Sequence, residues 1–156
     1  LDESKIKVAS IVKFALRYLV TIKPSEGKKS LYEFWDGDKE AFLQHDETAL
    51  KAYIEFCAKK LDMFFSAIKN TYSDQWGAPD SKLLSVTAMN GFIIAYNRQL
   101  AKNGVQDFAF YRECFEKMDM DFSKDNFPYT SSQYRKFSNE VLQRAFGFTE
   151  EELGEY

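Results

Sequence analysis

Asp46 to Tyr72, DETALKAYIEFCAKKLDMFFSAIKNTY, decides the fold class. Leu50, Tyr53, Ile54, Cys57, Leu61, Phe64, Phe65, Ile68 and Tyr72 recur at steps of three and four, the period of a helix with one apolar side. Asp46 is a good N-cap, and Glu47 puts negative charge against the amide end of the helix dipole. Lys51, Glu55, Lys59, Lys60 and Lys69 fall on other faces. The spacing predicts a helix over 47–72, about 40 Å long at ~1.5 Å per residue.

Upstream, Ile11, Phe14, Ala15, Tyr18, Leu19 and Ile22 repeat the same period, and Val8, Val12, Leu16 and Val20 widen the stripe. A helix over 4–22, apolar on most sides, is therefore expected beside 47–72 at the centre of the molecule. Pro24 ends it, because a proline disfavours helical geometry at the residue before it. Residues 8–22 are too short and, with Lys13 and Arg17, too charged for a membrane span. No signal-peptide cleavage pattern follows. Residues 31–35 read as a short helix capped by Ser30. Asp36-Gly37-Asp38 is a turn, followed by a short helix through Leu43.

Downstream, residues 75–80 form a loop. A helix is expected over 82–102, capped by Asp80 or Ser81, with Leu83, Val86, Met89, Phe92 or Ile93, Tyr96 and Leu100 as its stripe. Asn103-Gly104 stops it. Asp107 caps a shorter helix through Met118, burying Phe108, Tyr111, Phe115 and Met118. Residues 118–131 are a long polar loop, read as solvated and self-capping. Ser131 or Ser132 caps a last long helix to Phe146, and Thr149-Glu150-Glu151-Glu152 is a capping box for a final turn. The expected architecture is all-α, a compact orthogonal or irregular bundle of about five main helices forming one domain over 1–156. The chain begins at Leu1 without a methionine, and we expect a fragment of a longer protein.

Composition agrees with a helical core. Aromatic residues make up 17% of the chain, with 15 Phe, 9 Tyr and 2 Trp, whereas Gly and Pro number only 7 and 3. Each buried ring removes ~150–250 Å² from water. The net charge of −3 argues against a broadly cationic nucleic-acid binder, leaving only a local basic patch. Cys57 and Cys114 form no C-x-x-C pair and read as buried thiols in a reducing, cytoplasmic compartment.

Catalytic and cofactor motifs are not found. An EF-hand loop from Asp119 would need Gly at its sixth position and Glu at its twelfth, where Lys124 and Thr130 stand. S-x-x-K occurs at Ser4/Lys7, Ser10/Lys13, Ser25/Lys28 and Ser66/Lys69 with no K-T-G partner, which marks chance spacing. His45, the one histidine, lies in a polar helix junction and reads as exposed. The scattered glycines make no phosphate loop, so no metal or cofactor is expected and an enzyme is the least favoured reading. Basic residues gather at Lys23, Lys28 and Lys29, and again at Lys124, Arg135 and Lys136. Arg135 and Arg144, nine positions apart, lie on opposite sides of a helix.

The segment 118–129, MDMDFSKDNFPY, resembles a segment near the end of bacterial DGQHR-domain proteins, in which an Asp-aromatic-Ser-x-x-Asn run precedes an aromatic residue and a terminal helix. Residues 83–92, LLSVTAMNGF, are similar to that family's preceding helix, and the resemblance extends over roughly 48–152. The family includes regulators linked to phosphorothioation, a sulfur modification of the DNA backbone. Its namesake string lies in an N-terminal ParB-like part, and no such string occurs here. The resemblance implies a non-catalytic helical module of a DNA-modification or defence protein. Its expected contacts to DNA are Lys124, Asn126, Arg135 and Lys136, helped by Tyr129, Tyr134 and backbone N–H groups at the helix start. The other expectation is a protein–protein module, binding another protein or the N-terminal part, without a nucleic-acid role; it requires a sizeable exposed apolar patch.

Overall fold

The computed structural model describes residues 19–22 and 29–154. Their helices are α1 (Leu31–Phe34), α2 (Lys39–Leu43), α3 (Glu47–Thr71), α4 (Val86–Asn103), α5 (Phe108–Met118), α6 (Tyr134–Arg144) and α7 (Glu150–Gly154). The only extended pairing among the described residues is an isolated antiparallel bridge between Ser81 and Ser123. The all-α architecture is as the periodicity predicts.

Several caps fall where the side chains demand them. Asp38, Asp46 and Asp107 each accept the amide N–H three residues on. Thr149 and Glu152 exchange bonds in a reciprocal capping box. Gly104 closes α4 at φ 69°, a conformation that side chains with a Cβ rarely adopt.

Four expectations are corrected. The helix expected over 4–22 lies outside the described residues except at 19–22, and there the chain already bends at Val20. In a continuing helix, Val20 would offer its carbonyl to the N–H of residue 24, but residue 24 is proline and has none. The Tyr53 hydroxyl donates to that carbonyl instead, at 2.7 Å. Second, α4 starts at Val86 under a Ser85 cap, because the Ser81 hydroxyl accepts from Leu83 N–H and its backbone joins the bridge. Third, neither Ser131 nor Ser132 caps α6. Gln133 takes the cap position, and its side chain accepts from Thr130 N–H. Fourth, α1 begins at Ser30 without a side-chain capping bond.

Among the described residues, α4 is the most enclosed long helix. Its buried set includes Asn90, Asn97, Arg98 and Gln99, which a simple stripe would leave in water. Neighbouring groups compensate most of them. Asn97 donates to the Lys29 carbonyl, Gln99 donates to the Tyr111 hydroxyl, and Arg98 donates to Asn139 and to the Leu153 carbonyl. α4 packs chiefly against α6, and α3 against α5. Gly91 allows the α4–α6 approach: a Cβ there would sit 2.4 Å from the Phe137 ring and 3.0 Å from the Tyr134 carbonyl.

The rings fill the core in three groups, two of them linked. Phe64 of α3 meets Phe65, Phe92, Tyr96, Tyr111 and Phe115 at centroid distances from 4.6 to 6.4 Å. Phe122, Phe127, Tyr129 and Phe137 form a second group, joined to the first through Phe92. Tyr32, Trp35, Phe42 and Tyr53 form a third between α1, α2 and the first half of α3. Most pairs are edge-to-face or tilted, each worth ~0.5–1.5 kcal/mol beyond the area buried.

Candidate nucleic-acid interface

The loop 119–133 is exposed only in part. Met120, Phe122 and Phe127 are buried within it. Gln75 holds its first half from both sides, donating to the Met120 carbonyl at 3.0 Å and accepting from Phe122 N–H at 2.6 Å. The loop then pairs with residues 80–82. Lys82 N–H donates to the Phe122 carbonyl at 2.7 Å, and Lys124 N–H donates to the Asp80 carbonyl at 2.8 Å. Two loops some forty residues apart in sequence thus fix the backbones of Lys82 and Lys124.

The two lysines line one open cavity of about 250 Å³ together with Ser81 and Ser85, the cap of α4. The start of α6 lies at the same end of the bundle. Thr87, in the first turn of α4, donates to the Thr130 carbonyl at 3.3 Å, three residues before the α6 cap. Arg135 and Lys136 are exposed in the first turn of α6, the Arg135 guanidinium 5.8 Å from the Tyr134 ring centre. Four cationic side chains therefore stand at the end where two helices present their amide termini.

The other expected contacts are engaged within the fold. The Asn126 side-chain amide donates to Asp121 at 2.7 Å and to Ser123 at 3.2 Å, so it staples the loop. The Tyr129 hydroxyl donates to the Glu140 carboxylate. Burial and that neighbouring carboxylate both push the Tyr129 hydroxyl pKa above its ordinary value. Arg144 pairs with Glu140 at 3.0 Å and donates to the Met118 and Asp119 carbonyls, closing the base of the loop. Of the first basic cluster, Lys23 and Lys28 lie outside the described residues. The Lys29 ammonium is 5.8 Å from the Phe34 ring centre. His45 is exposed with φ 64° at the junction of α2 and α3.

Negative charge limits this basic end. Across the Ser81–Ser123 bridge, Asp74, Asp80 and Asp121 line a second hollow of about 370 Å³. The Ser123 N–H, the Asn126 amide and the Ser123 hydroxyl stabilise the Asp121 carboxylate and lower its pKa, keeping it charged. Among the described residues, no group of three or more His, Cys, Asp or Glu side chains could hold a metal ion. No helix among them is long and apolar enough to cross a membrane. Burial raises both thiols above their ordinary range, Cys114 to about 11, the reverse of what activates a cysteine nucleophile.

Lys82 escaped the sequence reading. Nothing local to residues 81–83 distinguishes it; only the pairing of Ser81 with Ser123 brings it beside Lys124. In comparisons with protein-family models, curated proteins and solved structures, nothing matches this chain.

Proposed function

We propose that this chain is a non-catalytic helical module of a bacterial DNA-modification or defence-associated protein, touching the DNA backbone with the end of the bundle where α4 and α6 begin. The observation that carries this reading is the convergence of those two helix starts through Thr87 and Thr130, with Lys82, Lys124, Arg135 and Lys136 at that end. Exposed lysine and arginine side chains beside helix N-termini suit phosphate oxygens and carry no base-reading chemistry. The association with DNA modification rests on the resemblance of 118–129 to DGQHR-domain proteins. Two buried free thiols suit a reducing, cytoplasmic setting.

The neighbouring Asp74, Asp80 and Asp121 make the contact shallow and sensitive to salt. Binding of a short DNA duplex over a salt series tests it. With at most four phosphates neutralised, log K should fall against log salt with a slope no steeper than about −3.6, at ~0.9 per contact. Arg135→Ala with Lys136→Ala should flatten the slope by about 1.8 on the same relation. Absence of binding at low salt, or a slope unchanged in the double variant, removes the reading.

A further inference from the structure

Two lysines and two hydroxyls share the open cavity of about 250 Å³ beside the Ser81–Ser123 bridge. Lys82 and Lys124 are exposed, and neither enters an ion pair among the described residues. The Ser81 hydroxyl accepts from Leu83 N–H at 3.1 Å, and the Ser85 hydroxyl accepts from Ala88 N–H at 3.2 Å. A hydroxyl has one proton to give besides its acceptor lone pairs, so each serine keeps an O–H to donate. An ammonium can only donate. Two positive charges and two neutral donors therefore border one space, and no acidic residue lines it. Asp74, Asp80 and Asp121 line the hollow on the other side of the bridge.

The same cavity has an apolar side, made by Ala78, Pro79 and Leu84. A bare anion has no use for such a wall, whereas carbon attached to the anion is drawn to it. The walls are also fixed before any ligand arrives. Lys82 N–H donates to the Phe122 carbonyl at 2.7 Å, and Lys124 N–H donates to the Asp80 carbonyl at 2.8 Å. A site held in this way loses little freedom on binding.

Shape and charge then select among phosphates. A phosphate inside a strand carries a sugar on each side and has two unshared oxygens. A phosphate at a strand end carries one sugar, three unshared oxygens and about −1.5 to −2 charge near pH 7, as other phosphate monoesters do. The cavity, at about 250 Å³, is smaller than the ~300–1,000 Å³ of sites that enclose a drug-sized ligand. It suits one phosphate with one sugar.

We propose, resting on the reading that this end of the bundle meets DNA, that the cavity takes the terminal phosphate of a DNA strand. The two lysines and the two serine hydroxyls hold its oxygens, and the apolar wall receives the carbon face of the last sugar. The module then recognises strand ends in preference to continuous backbone.

Three forms of one short duplex test this at low salt: 5′-phosphorylated, 3′-phosphorylated, and with hydroxyls at every end. At least one phosphorylated form should bind about tenfold more tightly than the hydroxyl form, as charge-assisted hydrogen bonds to a monoester allow. Lys82→Ala with Lys124→Ala should bring that ratio to about one, whereas Arg135→Ala with Lys136→Ala should weaken all three forms and leave the ratio standing. All four residues are exposed, so neither pair of changes disturbs the core. No gain from either phosphate overturns the proposal. So does a ratio that survives Lys82→Ala with Lys124→Ala, or one lost equally in both double variants, which would mean that added charge is read without the cavity. Competition separates the sources of phosphate. The corresponding deoxynucleoside monophosphate should displace the phosphorylated duplex at lower concentration than inorganic phosphate does, and at higher concentration than the unlabelled duplex does. Inorganic phosphate acting as well as the monophosphate would mean a bare anion site. The monophosphate acting as well as the duplex would mean a site for free nucleotides. Either result overturns the proposal. Absence of binding to any duplex removes the contact with DNA and the end recognition together, whereas binding without an end preference removes the end recognition alone.

Discussion

Leu50 and Ile68 lie in the same helix, α3, eighteen residues apart. Eighteen residues make five turns of ~3.6, so the two side chains point to the same side. Ile68 is fully buried, yet Leu50 is 44% exposed. The difference is in what stands opposite. The second half of α3 has α5 alongside it, and Phe64 is enclosed by rings from α4 and α5. The first half buries Ala49, Tyr53 and Cys57 and leaves Leu50 and Ile54 open. One helix thus combines a locked end with an end that has a free side. An apolar period states that a face needs cover, and only the tertiary arrangement states what provides it.

The contrast breaks most easily at the locked end. Phe64→Ala removes a fully buried ring that touches five others, and should cost ~3–5 kcal/mol in denaturant unfolding. A loss below about 1 kcal/mol would mean that the site collapses freely, contrary to a close-packed interior.

High pH acts on the same end. Burial raises the hydroxyls of Tyr72 and Tyr111 from 10.0 to about 12. A raised pKa in the folded chain means that the unfolded chain loses these protons first. Stability should be unaffected by these groups below pH 10 and fall as pH climbs from 10 towards 12, by ~1.4 kcal/mol per group per pH unit. Unfolding followed together with tyrosinate absorbance checks this; tyrosines that all ionise near pH 10 in the folded protein would contradict it.

Gly91→Ala should cost ~1–3 kcal/mol by forcing Phe137 away from α4, with Phe137→Leu in the same chain relieving part of the loss. At the first half of α3, Tyr53→Phe should cost only ~0.5–1.5 kcal/mol, since it removes one hydrogen bond to the Val20 carbonyl and keeps the ring. If Tyr53→Phe proved as damaging as Phe64→Ala, the two halves of α3 would not differ in the way described.

How much of this the sequence disclosed depends on the range of the interaction. Caps are local, so Asp46, Asp107 and the Thr149–Glu152 box were readable, as was the stop at Gly104. Ser85 was missed because two better-placed candidates, Asp80 and Ser81, stand just before it, and only the bridge to Ser123 removes Ser81 from that role. The loop after Met118 looked solvated because its acids and amides dominate the string, although Phe122 and Phe127 bury themselves beneath it. Of the four expected DNA contacts, Lys124, Arg135 and Lys136 face outward, whereas the Asn126 amide bonds within its own loop. Lys82 could not be found without the long-range pairing. Nor could the burial of Asn97, Arg98 and Gln99, whose partners come from residues 29, 139, 153 and 111.

Native-state hydrogen exchange along α3 tests the central contrast most directly. Amides of residues 64–71 should exchange only by global unfolding, with the same free energy as those in the middle of α4, while amides of residues 50–56 should exchange through a cheaper local opening. Uniform protection from one end of α3 to the other would contradict the account.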